Sequence, residues 1–169
     1  MLPIIVFCFF CLIVLIIFLS PFIFEIFLNP SHPEIVEKVM DIAEVKEGTV
    51  FYDLGSGDGR VLISAAKRRA LTIGYEPQTY WYLVSILKIF FAGLARKIAV
   101  RREDFMDINF SEADVFYIFL TPEKIARLEE ILKEKAKKGA RIITHQYPFP
   151  NWREHKEFEE DKIYLYVKQ

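Results

Sequence analysis

Residues 51 to 60, FYDLGSGDGR, constrain the fold more than any other stretch of this chain. Val50, Phe51, Tyr52 and Leu54 make a short apolar run with aromatic and β-branched side chains, the composition of a buried strand in an α/β sheet. Gly55, Gly57 and Gly59 then stand at every second position, so the backbone can take positive φ angles and approach a ligand with no Cβ in the way. A helix is predicted from Arg60, with its unpaired N–H groups facing the same crevice. Strand, glycine loop and helix in that order make a pocket of nucleotide type. An ordinary strand-to-helix turn is the plain alternative, and three alternating glycines beside Asp53 and Asp58 speak against it. A dinucleotide fingerprint, G-x-G-x-x-G, would need its third glycine where Arg60 stands.

The rest of the chain supplies the matching elements. Leu71 to Tyr75 is a second apolar strand, and it ends in Glu76, 21 residues after Gly55, where an acidic side chain holds a ribose through its hydroxyls. A helix-start carboxylate before Pro77 is the other reading of Glu76. Ile98 to Arg101 is a third strand, followed by Glu103, Asp104 and Phe105. Ala113 to Leu120 is the most apolar run of this part and reads as the central fourth strand. The loop Thr121-Pro122-Glu123 after it lies at the carboxyl end of the strand, where open α/β sheets bind ligands, with Thr121 also placed to cap the helix Glu123 to Lys138. Ala140 to Thr144 is a fifth strand, HQYPFPNW follows, and Lys156 to Lys168 reads as an antiparallel pair around Glu160-Asp161. Before the glycine strand, Ile35, Val36, Val39, Met40, Ile42 and Ala43 recur at helical spacing. The helix from about Gln78 to Arg96 is unusually aromatic. Its plain account is a core helix; its surplus of aromatic side chains suggests a second contact, with a bilayer interface or a partner protein.

The N-terminal end differs in kind. Apolar residues make up 53% and charged residues 27% of the 169, and the apolar excess is concentrated here, since residues 1 to 24 carry no charged side chain. As a helix they would reach roughly 36 Å, enough to cross a hydrocarbon core of about 30 Å. A transmembrane anchor over residues 1–28 is expected, then a breaker linker at 29–33 and a globular domain at 34–169. A cleaved signal peptide would want a basic start and a small-residue cleavage site, and neither is present. Cys8 and Cys11 lie inside the apolar run and read as membrane-facing side chains. His32, His145 and His155 are scattered, so no metal site is expected, and His145 reads as structural or substrate-facing. A net charge of −1 with no basic stripe gives no case for nucleic acid.

The glycine loop, read as D-x-G-x-G-x-G from Asp53 to Gly59, resembles the signature of class I methyltransferases that use S-adenosylmethionine (SAM). That resemblance implies a Rossmann-like fold with a mostly parallel seven-stranded sheet and helices on both faces. It also implies SAM as cofactor, held by Asp53, Gly55, Ser56, Gly57, Gly59 and Glu76, with Asp104 and Phe105 at the adenine. DLGSGDGR combined with YPFPNW near the C-terminus resembles a narrower family, the small membrane-associated protein-lysine methyltransferases that act on the ATP synthase c-subunit and the adenine nucleotide translocase, with prokaryotic relatives. One departure is Glu76-Pro77-Gln78, where members usually carry asparagine-proline. The resemblance implies N-methylation of lysine on a membrane-associated protein substrate, and SAM, kept inside cells, sets the domain on the cytoplasmic side of a single-pass anchor. A lysine must be neutral to attack, so a narrow apolar channel is expected, lined by Tyr147, Phe149, Pro150 and Trp152 with Thr121 and Glu123 at the opposite lip. A methyltransferase for a small molecule or lipid is the runner-up, and a non-enzymatic membrane scaffold the third reading.

Overall fold

The computed structural model describes residues 9–12, 31–153 and 155–169. The chain divides into two units, Met1–His32 and Pro33–Gln169. In the first, residues 9–12 are helical and Phe9, Phe10 and Leu12 are exposed; the rest of the expected anchor at 1–28 and the start of the linker lie outside the described residues. Among the described residues no helix is long and apolar enough to cross a membrane.

The second unit is an α/β sandwich. Helix α1 (Pro33–Ile42) precedes β1 (Val50–Leu54), α2 (Arg60–Lys67), β2 (Leu71–Tyr75), α3 (Thr79–Phe91), β3 (Ile98–Arg101), β4 (Val115–Ile118), α4 (Pro122–Lys135) and β5 (Arg141–His145). The antiparallel pair β6 (His155–Phe158) and β7 (Ile163–Val167) closes the chain. The strands form one seven-stranded sheet in the order β3-β2-β1-β4-β5-β7-β6, the first five parallel, with β4 in the middle place.

Alternation along the strands splits the core into two layers, as the two-residue period of a strand requires. Tyr52, Leu54, Phe116, Ile118, Ile142 and Tyr166 face one side, where Ile125, Leu128 and Leu132 of α4 cover them. Phe51, Val115, Tyr117, Ile143 and Leu165 face the other, against Val36, Val39 and Met40 of α1 and Val61 and Ala65 of α2. The order reverses between β1 and β4, and the crevice at their carboxyl ends is where open α/β sheets bind ligands.

Two elements differ from the expectation, α3 in two respects. Helix α3 stops at Phe91 because Gly93, at φ +70°, takes the left-handed turn that ends helices. It is also no core helix: only Ser85 and Ile89 are buried, and Tyr80, Leu83, Leu87, Phe90 and Phe91 face outward. The fourth strand spans Val115–Ile118, shorter than its apolar run, because Phe119 and Leu120 bend into the loop before α4.

Candidate functional site

The glycine loop grows directly out of β1. Gly55, Gly57 and Gly59 have φ of +89°, +51° and +80°, so each occupies the region that disfavours a side chain. Two of them also meet neighbours. A Cβ on Gly55 would lie 2.7 Å from Leu120 Cδ2, which sets the loop after β4 against the glycine loop. A Cβ on Gly59 would lie 3.1 Å from Ser85 Cβ, so this glycine lets α3 pack onto the start of α2. At Gly57 nothing lies within 4 Å of such a Cβ, so the space over this residue is open.

Glu76 fastens the loop. It is 4% exposed and follows β2; its Oε2 accepts from Gly57 N at 3.0 Å and its Oε1 from Gln78 N at 2.9 Å. Gly55 N and Ser56 N both donate to Tyr75 O, at 2.9 and 3.1 Å, which ties the loop to the end of β2 a second time. Ser56 turns its hydroxyl inward, where a Cβ on Gly74 would meet its Oγ at 2.8 Å, so only its backbone belongs to the loop surface. Gly74 reads in the sequence as an ordinary strand residue, although a glycine inside a strand is the signal of close approach.

Three carboxylates gather here. Asp53 is 2% exposed, and burial, then Glu76 and Asp58 nearby, push its carboxyl well above the usual range. Asp58 is buried as well, which works against its charge, yet hydrogen bonds from Arg60 and Lys88 hold it below the usual value. The bonds are Arg60 Nη2 to Oδ2 at 2.8 Å and Lys88 Nζ to Oδ2 at 2.5 Å, so Asp58 clamps the start of α2 to α3. The crevice is therefore lined by acidic groups, with Asp53 disposed toward its neutral form until a cation comes near it. Such a crevice suits a ligand carrying positive charge and repels a pyrophosphate.

The remaining candidates sort by depth. Asp104 is exposed and its Oδ1 accepts from Met106 N at 3.0 Å, capping the 3₁₀ turn Phe105–Asp107. Phe105 does not present its ring to the crevice: at 2% exposure it is part of the core layer under α4, with Lys124 Nζ 5.9 Å over the ring. The apolar side chain of that turn left half-buried is Met106. Thr121 and Glu123 are both exposed beside Leu120, and Thr121, although it stands at the N-cap of α4, makes no side-chain capping bond. Tyr147 is 44% exposed, two residues beyond the end of β5.

Trp152 is a correction. It is 6% exposed, stacked on Phe149 at 5.6 Å and 5.4 Å from Tyr166, with Lys133 Nζ 5.7 Å over its ring. Tyr166 belongs to β7, three places from β1 in the sheet, and pairs with Ile142 near the start of β5. The PFPNW segment thus runs back along the sheet, away from the crevice, and its aromatic rings complete the core. Phe149 N donates to Tyr166 Oη at 2.9 Å, and Asn151 N donates to Glu129 Oε2 at 3.0 Å. Glu129, fully buried and also paired with Lys133 at 2.6 Å, gives this segment its anchor.

His145 ends β5 on the α1 face, 4% exposed, sharing a 3.1 Å hydrogen bond between its Nδ1 and Tyr117 Oη and lying 4.6 Å from the Phe119 ring. Burial lowers its pKa to about 4. The unfolded chain takes up this proton near 6.5 and the folded chain only near 4, so between those values the unfolded state binds more protons. The contribution is complete above about pH 6.5 and is lost as pH falls toward 4, on the order of 3 kcal/mol in all. Urea denaturation at pH 7, 5.5 and 4 is expected to show that loss, and His145→Gln is expected to flatten it. The depressed carboxylates Glu37, Asp58 and Asp114 lose theirs lower, as pH falls from their ordinary values of 4.5, 3.8 and 3.8 through the depressed ones.

The geometry has counterparts among known proteins. The human lysine N-methyltransferase of the ATP synthase c-subunit is 31% identical over 125 residues, which are 73% of this chain and 52% of that protein. A protein-lysine N-methyltransferase of Saccharolobus islandicus is 28% identical over 125 residues, 73% of this chain and 78% of that one. The chain spans about half the length of the vertebrate relatives it matches. The crystal structure of an RNA methyltransferase from Salinibacter ruber in complex with S-adenosyl-L-homocysteine superposes with a TM-score of 0.76 at 30% identity, over 82% of this chain and 92% of that one. The family model of the ANTKMT methyltransferase domain matches residues 53–156, more than half of the chain, from the aspartate ahead of the glycine loop into β6. The chain belongs to the ANTKMT methyltransferase domain family.

Proposed function

We propose that this chain transfers a methyl group from SAM to the side-chain amine of lysine in a membrane-associated protein, with residues 1–28 as a single-pass anchor and residues 34–169 as the catalytic domain on the cytoplasmic side. The observation that carries the cofactor reading is the loop itself. Gly57 is held by the Glu76 carboxylate with open space over its α-carbon, and the ammonium and sulfonium charges of SAM would favour the ionised forms of the acidic groups beside it. Gly55, Gly57, Gly59 and the backbone of Ser56 would line the amino-acid end. Glu76 keeps lone pairs for ribose hydroxyls beyond its two backbone bonds, and Asp104 Oδ2 remains for the adenine amino group.

Bound SAM supplies an activated methyl group, and the chain's part is to align the amine in line with it and exclude water. Leu120 walls the glycine loop, Thr121 and Glu123 stand next to it with their polar groups exposed, and Tyr147 stands at the end of β5. These three are proposed to receive the lysine: Glu123 as a carboxylate that attracts the ammonium, Thr121 and Tyr147 as hydroxyl groups that orient it. No covalent intermediate and no metal are needed for such a displacement. The lysine reading draws on the two relatives named for that activity, and the membrane reading on the uncharged residues 1 to 24.

The test is incubation of full-length protein with methyl-labelled SAM and host membranes, followed by digestion and mass spectrometry. Label on lysine of a membrane protein is expected. Label confined to RNA would follow the Salinibacter relative instead, and label confined to lipid or a small molecule would favour the runner-up.

A further inference from the structure

We infer that the outward face of α3 rests on the surface of a lipid bilayer bearing anionic headgroups. At 3.6 residues per turn Tyr80, Leu83, Leu87, Phe90 and Phe91 fall within about 100° of arc, opposite the two buried residues Ser85 and Ile89. The stripe points straight away from the domain. Exposures run from 54% at Tyr80 to 78% at Phe91, so this is a contiguous patch and not scattered surface leucines. The comparison within the molecule is α4, where the exposed positions carry Glu123, Lys124, Arg127, Glu130 and Lys135, the ordinary solvent face of an amphipathic helix.

The charge around the patch identifies the occupant. From Pro77 to Arg102 there is no Asp or Glu, while Lys88, Arg96, Lys97, Arg101 and Arg102 are all exposed. Lys88 is paired with Asp58; the other four make no ion pair among the described residues. Arg96 and Lys97 follow the C-terminal end of the helix, and Arg102 reaches its N-terminal end, donating to Thr79 Oγ1 at 3.2 Å. An apolar stripe rimmed by cations at both ends, with aromatic residues in it, is the pattern of a helix lying about 5–10 Å into the headgroup region. A second copy of the chain would set the same cations against one another.

This inference rests on the membrane location proposed above, and it adds that the domain, not the anchor alone, contacts lipid. Because α3 begins just after Glu76, such contact would set the rim of the cofactor crevice at the bilayer surface, within reach of a lysine close to the headgroups.

The experiment uses full-length protein carrying Cys8→Ser, Cys11→Ser and Leu87→Cys, labelled at the new thiol with an environment-sensitive fluorophore. The protein is reconstituted into phosphatidylcholine vesicles with and without phosphatidylglycerol, and α4 is labelled in parallel through Glu130→Cys. Both sites are exposed, so circular dichroism is expected to be unchanged. With phosphatidylglycerol, emission from position 87 is expected to shift to the blue and to be quenched by doxyl lipids labelled near the headgroup; emission from position 130 is not. Arg96→Gln with Lys97→Gln is expected to lower the docked-to-undocked ratio on the order of tenfold. Unquenched label at 87 on vesicles that still float with the protein would overturn the inference and leave the anchor standing. Blue-shifted emission that doxyl lipids do not quench would also overturn it, because the face is then covered by protein. Protein that fails to float would remove the membrane reading and this inference together.

Discussion

Glu76→Ala is expected to weaken SAM binding on the order of 100-fold, because it removes both the acceptor that holds Gly57 N and the carboxylate proposed to meet the ribose. A charged hydrogen bond contributes about 1.5–3 kcal/mol, and the loop it fixes contributes preorganisation besides. The fold should survive. Gly55 N and Ser56 N keep their bonds to Tyr75 O, so the cost in stability is expected to stay at about 1–3 kcal/mol, from Gly57 N and Gln78 N left without their acceptor. Glu76→Gln keeps an acceptor oxygen without the charge and is expected to fall between the two. Calorimetric titration beside a thermal melt separates these effects, and unchanged affinity in Glu76→Ala would remove Glu76 from the cofactor site.

Trp152→Ala carries the largest expected cost in stability, about 3–5 kcal/mol, since truncation empties a buried ring site between Phe149, Tyr166 and Lys133. Tyr166, whose hydroxyl burial pushes up to about 12, would lose its neighbour as well. At a temperature where the variant is folded, its SAM affinity and turnover are expected to be near those of the parent. Tyr147→Ala should behave in the opposite way: a half-exposed side chain costs within about 0.5 kcal/mol on removal, while turnover drops if it orients the lysine. A Trp152→Ala protein that stays as stable as the parent and loses turnover would return that tryptophan to the channel.

The contrast between those two residues marks where sequence reading succeeds. Strands β1, β2 and β3, the glycine loop and Glu76 are written locally, in apolar runs and in a spacing that only certain backbones satisfy, and the structure places them side by side. Depth is not local. Phe105 and Trp152 look like pocket aromatics beside polar neighbours, and only the path of the chain shows both rings in the layer under α4. Glu129 gives no signal in the sequence, since a carboxylate on the buried face of α4 makes sense only once Asn151 and Lys133 are seen against it. The end of α3 is legible in principle, through Gly93, but the apolar run continues past it. The outward stripe of α3 follows the opposite course: its periodicity fits a core helix, and burial of only two residues shows that the domain does not use it.

The loop from Asp53 to Gly59, fastened by Glu76, is the proposed cofactor site. Its most direct test is titration of the full-length protein with S-adenosylhomocysteine by calorimetry, for the parent and for Gly57→Val. Valine there fills the open space over the loop and strains a φ of +51°, without touching the core. One binding site per chain in the parent, and no measurable heat from a Gly57→Val protein that still melts cooperatively, is the predicted result. Equal binding by both proteins would contradict it and move the cofactor out of the crevice.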